Sequence, residues 1–127
     1  MTPNQFRRIA LSLPRASEGA HMGTADFRVD AKIFATLANP DAACGVIGLT
    51  PDQQALLIET TPHVFVPVPG GWGARGWTRV RLAAADAAML KSALTMAWRN
   101  RASKKLVAGR TRPAIKRKPR RTRSADQ

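Results

Sequence analysis

The sequence predicts an α+β fold, in which an antiparallel sheet carries an N-terminal and a C-terminal helix on one face. Three observations support this class. A helical pattern opens the chain, short runs of strand-forming residues fill its middle, and the longest helical apolar stripe comes last. With 127 residues and 44% hydrophobic residues, the chain has the length of one domain and enough apolar side chains for a core.

The opening helix has clear start and stop signals. Thr2 can cap free N–H groups, and Pro3 suits the first helical position. Apolar residues then recur at helical spacing as far as Leu13, and Pro14 marks the end. Residues 17–23 are rich in Gly, Ser and Ala, so they predict a flexible connection.

Five runs rich in β-branched and aromatic residues predict strands. They span residues 26–29, 32–37, 44–49, 63–68 and 77–82. Turns are predicted at residues 30–31 and 39–40. The Thr50-Pro51 pair repeats the helix start and predicts a short helix over residues 53–59. Residues 69–76 are rich in Gly, so the last two strands are expected to form a hairpin with a long, flexible tip.

The strongest helix signal in the chain covers residues 83–102. Leu90, Leu94 and Trp98 lie four residues apart there, and with their neighbours they form one broad apolar face. Because Trp98 belongs to this face, we expect its side chain to lie in the core.

The positive charge of the chain is concentrated at its C-terminal end. Lys and Arg number 21 against 8 Asp and Glu, which gives a net charge of +13. Residues 99–127 hold 12 of these bases and one acid. Apolar periodicity stops near Val107, so the chain divides into an α+β domain over residues 1–105 and a basic tail over residues 106–127, disordered from about residue 108.

A basic tail of this kind attracts polyanions, and nucleic acid is the partner that we predict for it. The alternative is a tail that only keeps the chain soluble. The candidate phosphate contacts in and just before the tail are Lys104, Lys105, Arg110, Arg112, Lys116, Arg117, Lys118, Arg120, Arg121 and Arg123.

A second candidate surface lies in the predicted hairpin. Trp77, Arg79 and Arg81 share one face of its second strand, because side chains alternate along a strand. Indoles stack on bases and guanidinium groups pair with phosphate. Trp72 and Arg75 extend this surface onto a loop whose glycines permit the backbone to adapt to a ligand. Alternatively, Trp77 packs under the last helix and the Arg side chains are only solvated.

Catalytic, metal and cofactor sites are not predicted. Cys44 is expected to be a buried structural residue, and no spacing joins it to His21 or His63. The carboxylates are scattered, and no Gly-Lys-Ser/Thr follows the glycine-rich loop as it would in a nucleotide-binding loop. We therefore expect a protein that is not an enzyme and that has no metal and no cofactor.

Signals for membrane insertion or export are weak. No apolar run approaches the roughly 18 residues that span a bilayer. The apolar run at residues 9–13 is shorter than the roughly 7–15 residues that a signal peptide needs. We therefore expect a cytoplasmic protein. We also expect it to be a monomer.

Two segments carry a family resemblance. They are Phe-Arg-Val-Asp-Ala-Lys-Ile-Phe-Ala-Thr at residues 27–36 and Pro-Gly-Gly-Trp-Gly-Ala-Arg-Gly-Trp-Thr at residues 69–78. With the two terminal helices, they make residues 2–105 resemble the MmcQ/YjbR family of small bacterial proteins. The resemblance implies a fold similar to CyaY and frataxin, and a DNA-binding role in which the sheet and loops act as wings. Ala31 stands where the family often has Gly, and we expect a shift of turn type to accommodate it.

A frataxin-like fold also raises iron binding, which needs a cluster of carboxylates. The opening helix carries Arg7 and Arg8 and no acid, so iron binding is not predicted. The prediction is a largely sequence-nonspecific DNA-binding protein, with RNA as an open second target. The alternative is a non-enzymatic protein- or small-ligand-binding module whose site lies on the concave sheet face near His21, Lys32 and Trp77, with the tail as an accessory.

Overall fold

The structure is a computed structural model that describes residues 1–21, 23–37, 44–104 and 106. Along these residues the elements follow in the order α1 (Pro3–Leu11), β1 (Ser17–His21), β2 (Thr24–Val29), β3 (Lys32–Leu37), β4 (Cys44–Gly48), α2 (Pro51–Thr60), β5 (Phe65–Pro67), α3 (Gly71–Ala74), β6 (Trp77–Arg81) and α4 (Ala87–Arg101). The predicted turn at residues 39–40 and the predicted disorder of the tail lie outside the described residues.

The six strands form one sheet in the order β1-β2-β3-β4-β6-β5, and all neighbours are antiparallel. Helices α1 and α4 pack against each other and against β3 and β4 on one face of this sheet. The core lies between these helices and the sheet, where Phe6, Phe27, Ile47 and Trp98 are fully buried. Together these observations confirm the predicted α+β class and the core position of Trp98.

The indole of Trp98 is tied to the N-terminal end of the chain. Its Nε1 donates a hydrogen bond to the Pro14 carbonyl oxygen at 2.9 Å. A buried indole N–H needs such a partner, because leaving it without one would cost about 1–3 kcal/mol. This bond therefore ties the segment just after α1 to the C-terminal end of α4's apolar face.

Two of the helix starts are closed by reciprocal hydrogen bonds, as the Thr-Pro pairs predict. At α1 the Thr2 side chain accepts from the Gln5 backbone, and the Gln5 side chain accepts from the Thr2 backbone. The same arrangement joins Thr50 and Gln53 at α2. Each cap satisfies N–H groups that a helix start otherwise leaves free.

Several predicted boundaries are wrong. Residues 17–21 form an edge strand rather than a flexible connection, because their backbone pairs with residues 24–28 of β2. Helix α4 begins at Ala87, not at residue 83, because the Asp86 carboxylate caps the Met89 N–H at 2.8 Å. Residues 82–84 form a separate 3₁₀ turn, and β5 is shorter than the predicted run.

The β2–β3 turn places Ala31 in a strained backbone conformation. Asp30 and Ala31 both have left-handed backbone, with φ of 51° and 65°. Positive φ at both central residues is the pattern of a two-residue type I′ hairpin turn. Ala31 therefore bears a steric cost of about 1 kcal/mol that a glycine would not.

Candidate functional site

The sheet face turned away from α1 and α4, here called the open face, is defined by cross-strand pairs. Thr36 lies opposite Val46, and Val46 lies opposite Arg79, so these three side chains share it. Trp77 and Arg81 lie two residues to either side of Arg79 along β6, and the residues between them are buried. The predicted alternation is therefore present, and Trp77 lies on the open face rather than under α4.

A pocket of about 340 Å³ opens on this face, beside α3. We call it the aromatic pocket, and it is lined by Ile33, Thr36, Val46, Val68, Trp72, Trp77 and Arg79. Three branched apolar side chains and two indoles make up most of this lining, with one hydroxyl and one guanidinium group. Its volume lies near the lower end of the roughly 300–1,000 Å³ that small-molecule sites occupy.

The two indoles of the pocket are flanked by two guanidinium groups. The rings of Trp72 and Trp77 meet edge to face, with centroids 6.2 Å apart and planes at 74°. Arg75 lies over the Trp72 ring at 5.5 Å, and Arg101 of α4 lies over the Trp77 ring at 5.2 Å. Both distances are within the range of cation–π attraction. The pocket therefore carries aromatic surface and positive charge side by side.

The tip of the β5–β6 hairpin is ordered by close backbone packing, which corrects the prediction of a flexible loop. It contains the single-turn helix α3, with the backbone of Gly73 against Val68 and that of Gly76 against Leu49. A Cβ at Gly73 would lie 1.8 Å from the Val68 carbonyl oxygen, and one at Gly76 would lie 2.0 Å from the Leu49 carbonyl oxygen. These two glycines permit close approach rather than adaptation to a ligand.

Gln54 of α2 holds this tip in place. Its Nε2 lies 3.0 Å from the Gly73 carbonyl oxygen, 3.1 Å from the Trp77 carbonyl oxygen and 3.1 Å from Thr78 Oγ1. One amide group thus joins α3, which carries Trp72, to the start of β6, which carries Trp77. Gln54 therefore sets the relative position of the two indoles.

The end of α4 is fixed to the end of β4, opposite the start of β6. Asn100 Nδ2 donates to the Gly48 carbonyl oxygen at 3.0 Å and to Gln53 Oε1 at 2.8 Å. These bonds hold the last turn of α4 beside β4, where Arg101 reaches the Trp77 ring. A Cβ on Gly48 would lie 3.0 Å from both side chains, so glycine leaves room for their contact.

The charges on the open face are of two kinds. Arg28 pairs with buried Asp26 through two bonds of 2.7 and 3.0 Å, and this carboxylate raises the pKa of Arg28, first by hydrogen bonding and then by charge. No described carboxylate lies within ion-pair distance of Arg79. The charge of Arg79 is therefore not neutralised by the described part of the chain.

The structure brings four of the predicted site residues together at the aromatic pocket. They are Trp72, Arg75, Trp77 and Arg79. Arg81 shares the open face but lies at the far end of β6, opposite Cys44, which is half-buried rather than buried as predicted. Lys104 is exposed beyond the end of α4.

The remaining predicted contacts lie outside the described residues. They are Lys105, Arg110, Arg112, Lys116, Arg117, Lys118, Arg120, Arg121 and Arg123. Of the residues around the alternative ligand site, Lys32 is exposed at the start of β3 and Trp77 lines the pocket, while the His21 side chain also lies outside the described part.

Sequence reasoning missed several residues that build the site. Ile33, Val46 and Val68 fall in runs that were predicted as strands. Nothing local shows that they come together in space, because this depends on the register between separate strands. Gln54 and Arg101 looked like solvated helix positions. Local spacing carries no signal for either, since the partners of Gln54 are 19 to 24 residues away.

The described residues hold neither a metal-binding cluster nor a membrane-spanning helix. There, no three His, Cys, Asp or Glu side chains come close enough to hold a metal ion. The longest helix in this part has 15 residues, and none of the helices is long and apolar enough to cross a bilayer.

Comparisons with known proteins agree with the fold. A crystal structure of Deinococcus radiodurans protein DR2400, with a DUF419 family-model domain, superposes with a TM-score of 0.63 at 18% identity, over 76% of this chain and 75% of that chain. No curated protein matches the sequence. The YjbR family model matches residues 11–100, which include both motif segments and the whole aromatic pocket. The chain therefore belongs to the YjbR family.

Proposed function

We propose that this protein binds nucleic acid without catalysing a reaction, through the open face of its sheet and its basic C-terminal segment. The observation that carries the proposal is the row of side chains Arg75, Trp72, Trp77 and Arg101 beside Arg79, whose charge no described carboxylate neutralises. Two adjacent aromatic rings with a guanidinium group on either side can stack on bases and contact the phosphates next to them.

The two basic regions would make different contributions. Lys and Arg residues at positions 104–123 supply affinity through phosphate neutralisation and the release of counterions, whatever the base sequence. Arg79 and Arg81 supply phosphate contacts at fixed positions on a rigid sheet, which orient the nucleic acid. DNA is the first target to test, and RNA offers the same phosphates and flat bases to these side chains.

The proposal is a binding role because the pocket offers groups that bind rather than react. Its described lining residues include no carboxylate, imidazole, thiol or amine, and Thr36 supplies the one hydroxyl among them. General acid–base and nucleophilic catalysis depend on such groups.

A second candidate function is the binding of a small ligand, with the basic segment as an accessory. The volume and mostly apolar lining of the aromatic pocket favour it, because small-molecule sites combine such walls with a few polar groups. A planar anion would place its ring against an indole and its charge on Arg79.

The test is a salt titration of DNA binding by fluorescence anisotropy. Four full-length proteins are compared: the wild type, a tail variant with the eight Lys and Arg residues of 110–123 changed to Gln, a face variant (Arg79→Gln with Arg81→Gln), and a control (Arg8→Gln with Arg99→Gln). The control removes the same charge from exposed helix positions.

The expected results differ for each variant. If about 6–8 tail charges contact phosphates, log affinity falls with log salt at a slope of about −5 to −7. The tail variant should lose most of this salt dependence. The face variant should bind about 25-fold more weakly than the control, from two contacts of about 1 kcal/mol each. Equal affinity of the face variant and the control would refute the role of the open face.

A further inference from the structure

We propose that the aromatic pocket receives a single unpaired nucleobase, so that the open face selects single-stranded nucleic acid or an unpaired nucleotide over duplex. This inference rests on the proposed nucleic-acid binding and adds the form of the ligand. Its basis is the geometry of the two indoles, the shape of the pocket and the position of Arg79.

The indoles require a base whose flat surface is free. In a duplex, both faces of each base are covered by the neighbouring bases, and proteins reach only base edges through the grooves. Trp72 and Trp77 both line the pocket and are perpendicular to within 16°, since their planes meet at 74°. A flat ring that stacks on one indole therefore lies roughly perpendicular to the other, and edge-to-face arrangements are favourable for aromatic groups.

The shape of the pocket also favours a single unpaired nucleobase. Readers of duplex DNA insert a protruding helix or β-ribbon into a groove. Here the surface is concave: its floor is formed by Ile33 and Val46 on the sheet, and Trp72 stands beside it on α3. A pocket of about 340 Å³ at the low end of ligand-site volumes suits one base and its sugar, not two paired strands.

The polar groups of the pocket fit the rest of a nucleotide. Thr36 lies in the lining with a hydroxyl that can donate to or accept from a base edge. Arg79 is exposed and has no described carboxylate partner, so its guanidinium group is available for a two-pronged contact with a phosphate. Stacking on an indole tolerates every base, so the contact between the base and the pocket adds little sequence preference.

The experiment separates base contacts from phosphate contacts. Full-length wild type, Trp72→Ala, Trp72→Phe and Leu56→Ala are titrated with three labelled probes: a 12-nucleotide thymidine strand, an abasic strand with the same number of phosphates, and a duplex of the same length. Leu56→Ala is the matched control, because Leu56 is 53% exposed and Trp72 is 59% exposed. Neither side chain is needed for the core, so all four proteins should fold.

The expected result is a preference that depends on the base and on Trp72. The wild type should bind the thymidine strand between about fivefold and 150-fold more tightly than the abasic strand. Trp72→Ala should lose most of this ratio, Trp72→Phe should keep most of it, and Leu56→Ala should match the wild type. None of these substitutions should change duplex affinity more than about twofold.

Three other outcomes would overturn one proposal or both. If Trp72→Ala weakens the thymidine strand and the duplex by the same factor, the open face binds nucleic acid but does not select an unpaired base, so this inference fails alone. If Trp72→Ala and the face variant both bind every probe like the wild type, the proposed function of the face fails as well. If thymidine monophosphate saturates the pocket but the thymidine strand does not compete with it, the site is a small-ligand site and both proposals are overturned.

Discussion

Gln54 offers a direct test of how the site is held together. In the structure its Nε2 approaches three acceptors, the carbonyl oxygens of Gly73 and Trp77 and the hydroxyl oxygen of Thr78, at 3.0 to 3.1 Å. An amide has two N–H bonds, so the equivalent of two hydrogen bonds is lost in Gln54→Leu. We expect this variant to be destabilised and its two indoles to lose their fixed arrangement.

The size of the effect follows from what the acceptors retain. The Gly73 carbonyl oxygen still accepts from the Gly76 N–H, and the Trp77 carbonyl oxygen still accepts from the Val68 N–H, both at 3.0 Å. Neither is left without a partner, so Gln54→Leu should cost about 1–2 kcal/mol rather than the larger cost of orphaned groups. Gln54→Glu places an oxygen against three acceptors and should cost more, about 2–4 kcal/mol at neutral pH.

The assay is urea unfolding of both variants between pH 4 and pH 7. Three facing acceptors favour the protonated form of the introduced carboxyl, which raises its folded-state pKa above the ordinary value of about 4.3. The stability of Gln54→Glu relative to Gln54→Leu should therefore rise as the pH falls through that raised pKa. Gln54→Leu carries no titrating group and is the control. A Gln54→Glu variant as stable as the wild type at pH 7, with no pH-dependent difference from Gln54→Leu, would refute this reasoning.

Three further stability predictions can be checked by thermal unfolding. Ala31→Gly should stabilise the protein by about 0.5–1 kcal/mol, because it relieves left-handed backbone at φ 65°, and no rise in Tm would contradict this. Gly45→Ala should cost about 1–3 kcal/mol, since its Cβ would lie 2.3 Å from the Phe6 ring, and a neutral result would show that this ring moves freely. Trp98→Phe should cost about 2–4 kcal/mol through the lost bond to Pro14 and the space left behind, and a loss below 1 kcal/mol would contradict that assignment.

The sequence was informative wherever a local rule decides the structure. Capping residues Thr2 and Thr50 marked two helix starts, and the period of two placed Trp77, Arg79 and Arg81 on one face. These features depend on neighbours within a few residues, so they can be predicted without knowledge of the tertiary fold.

The missed elements depend on distant partners. Strand β1 has no alternating pattern and is held as an edge by pairing with β2 and by the 3.0 Å contact between Arg7 and Glu18. Helix α3 has four residues, too few for a periodic signal, and it is positioned by Gln54 and by the contact of Gly73 with the Val68 backbone. The aromatic pocket can be recognised only when the register of β3, β4 and β6 is known.

The three tryptophans provide the most direct test of the central claim, that the open face binds nucleic acid. A ¹H–¹⁵N spectrum of the full chain gives one indole N–H signal for each. On titration with a thymidine strand, the signals of Trp72 and Trp77 should shift, while that of Trp98, fully buried and bonded to Pro14, should stay in place. Saturable binding that leaves the Trp72 and Trp77 signals unmoved would contradict the claim and leave the basic segment as the binding region.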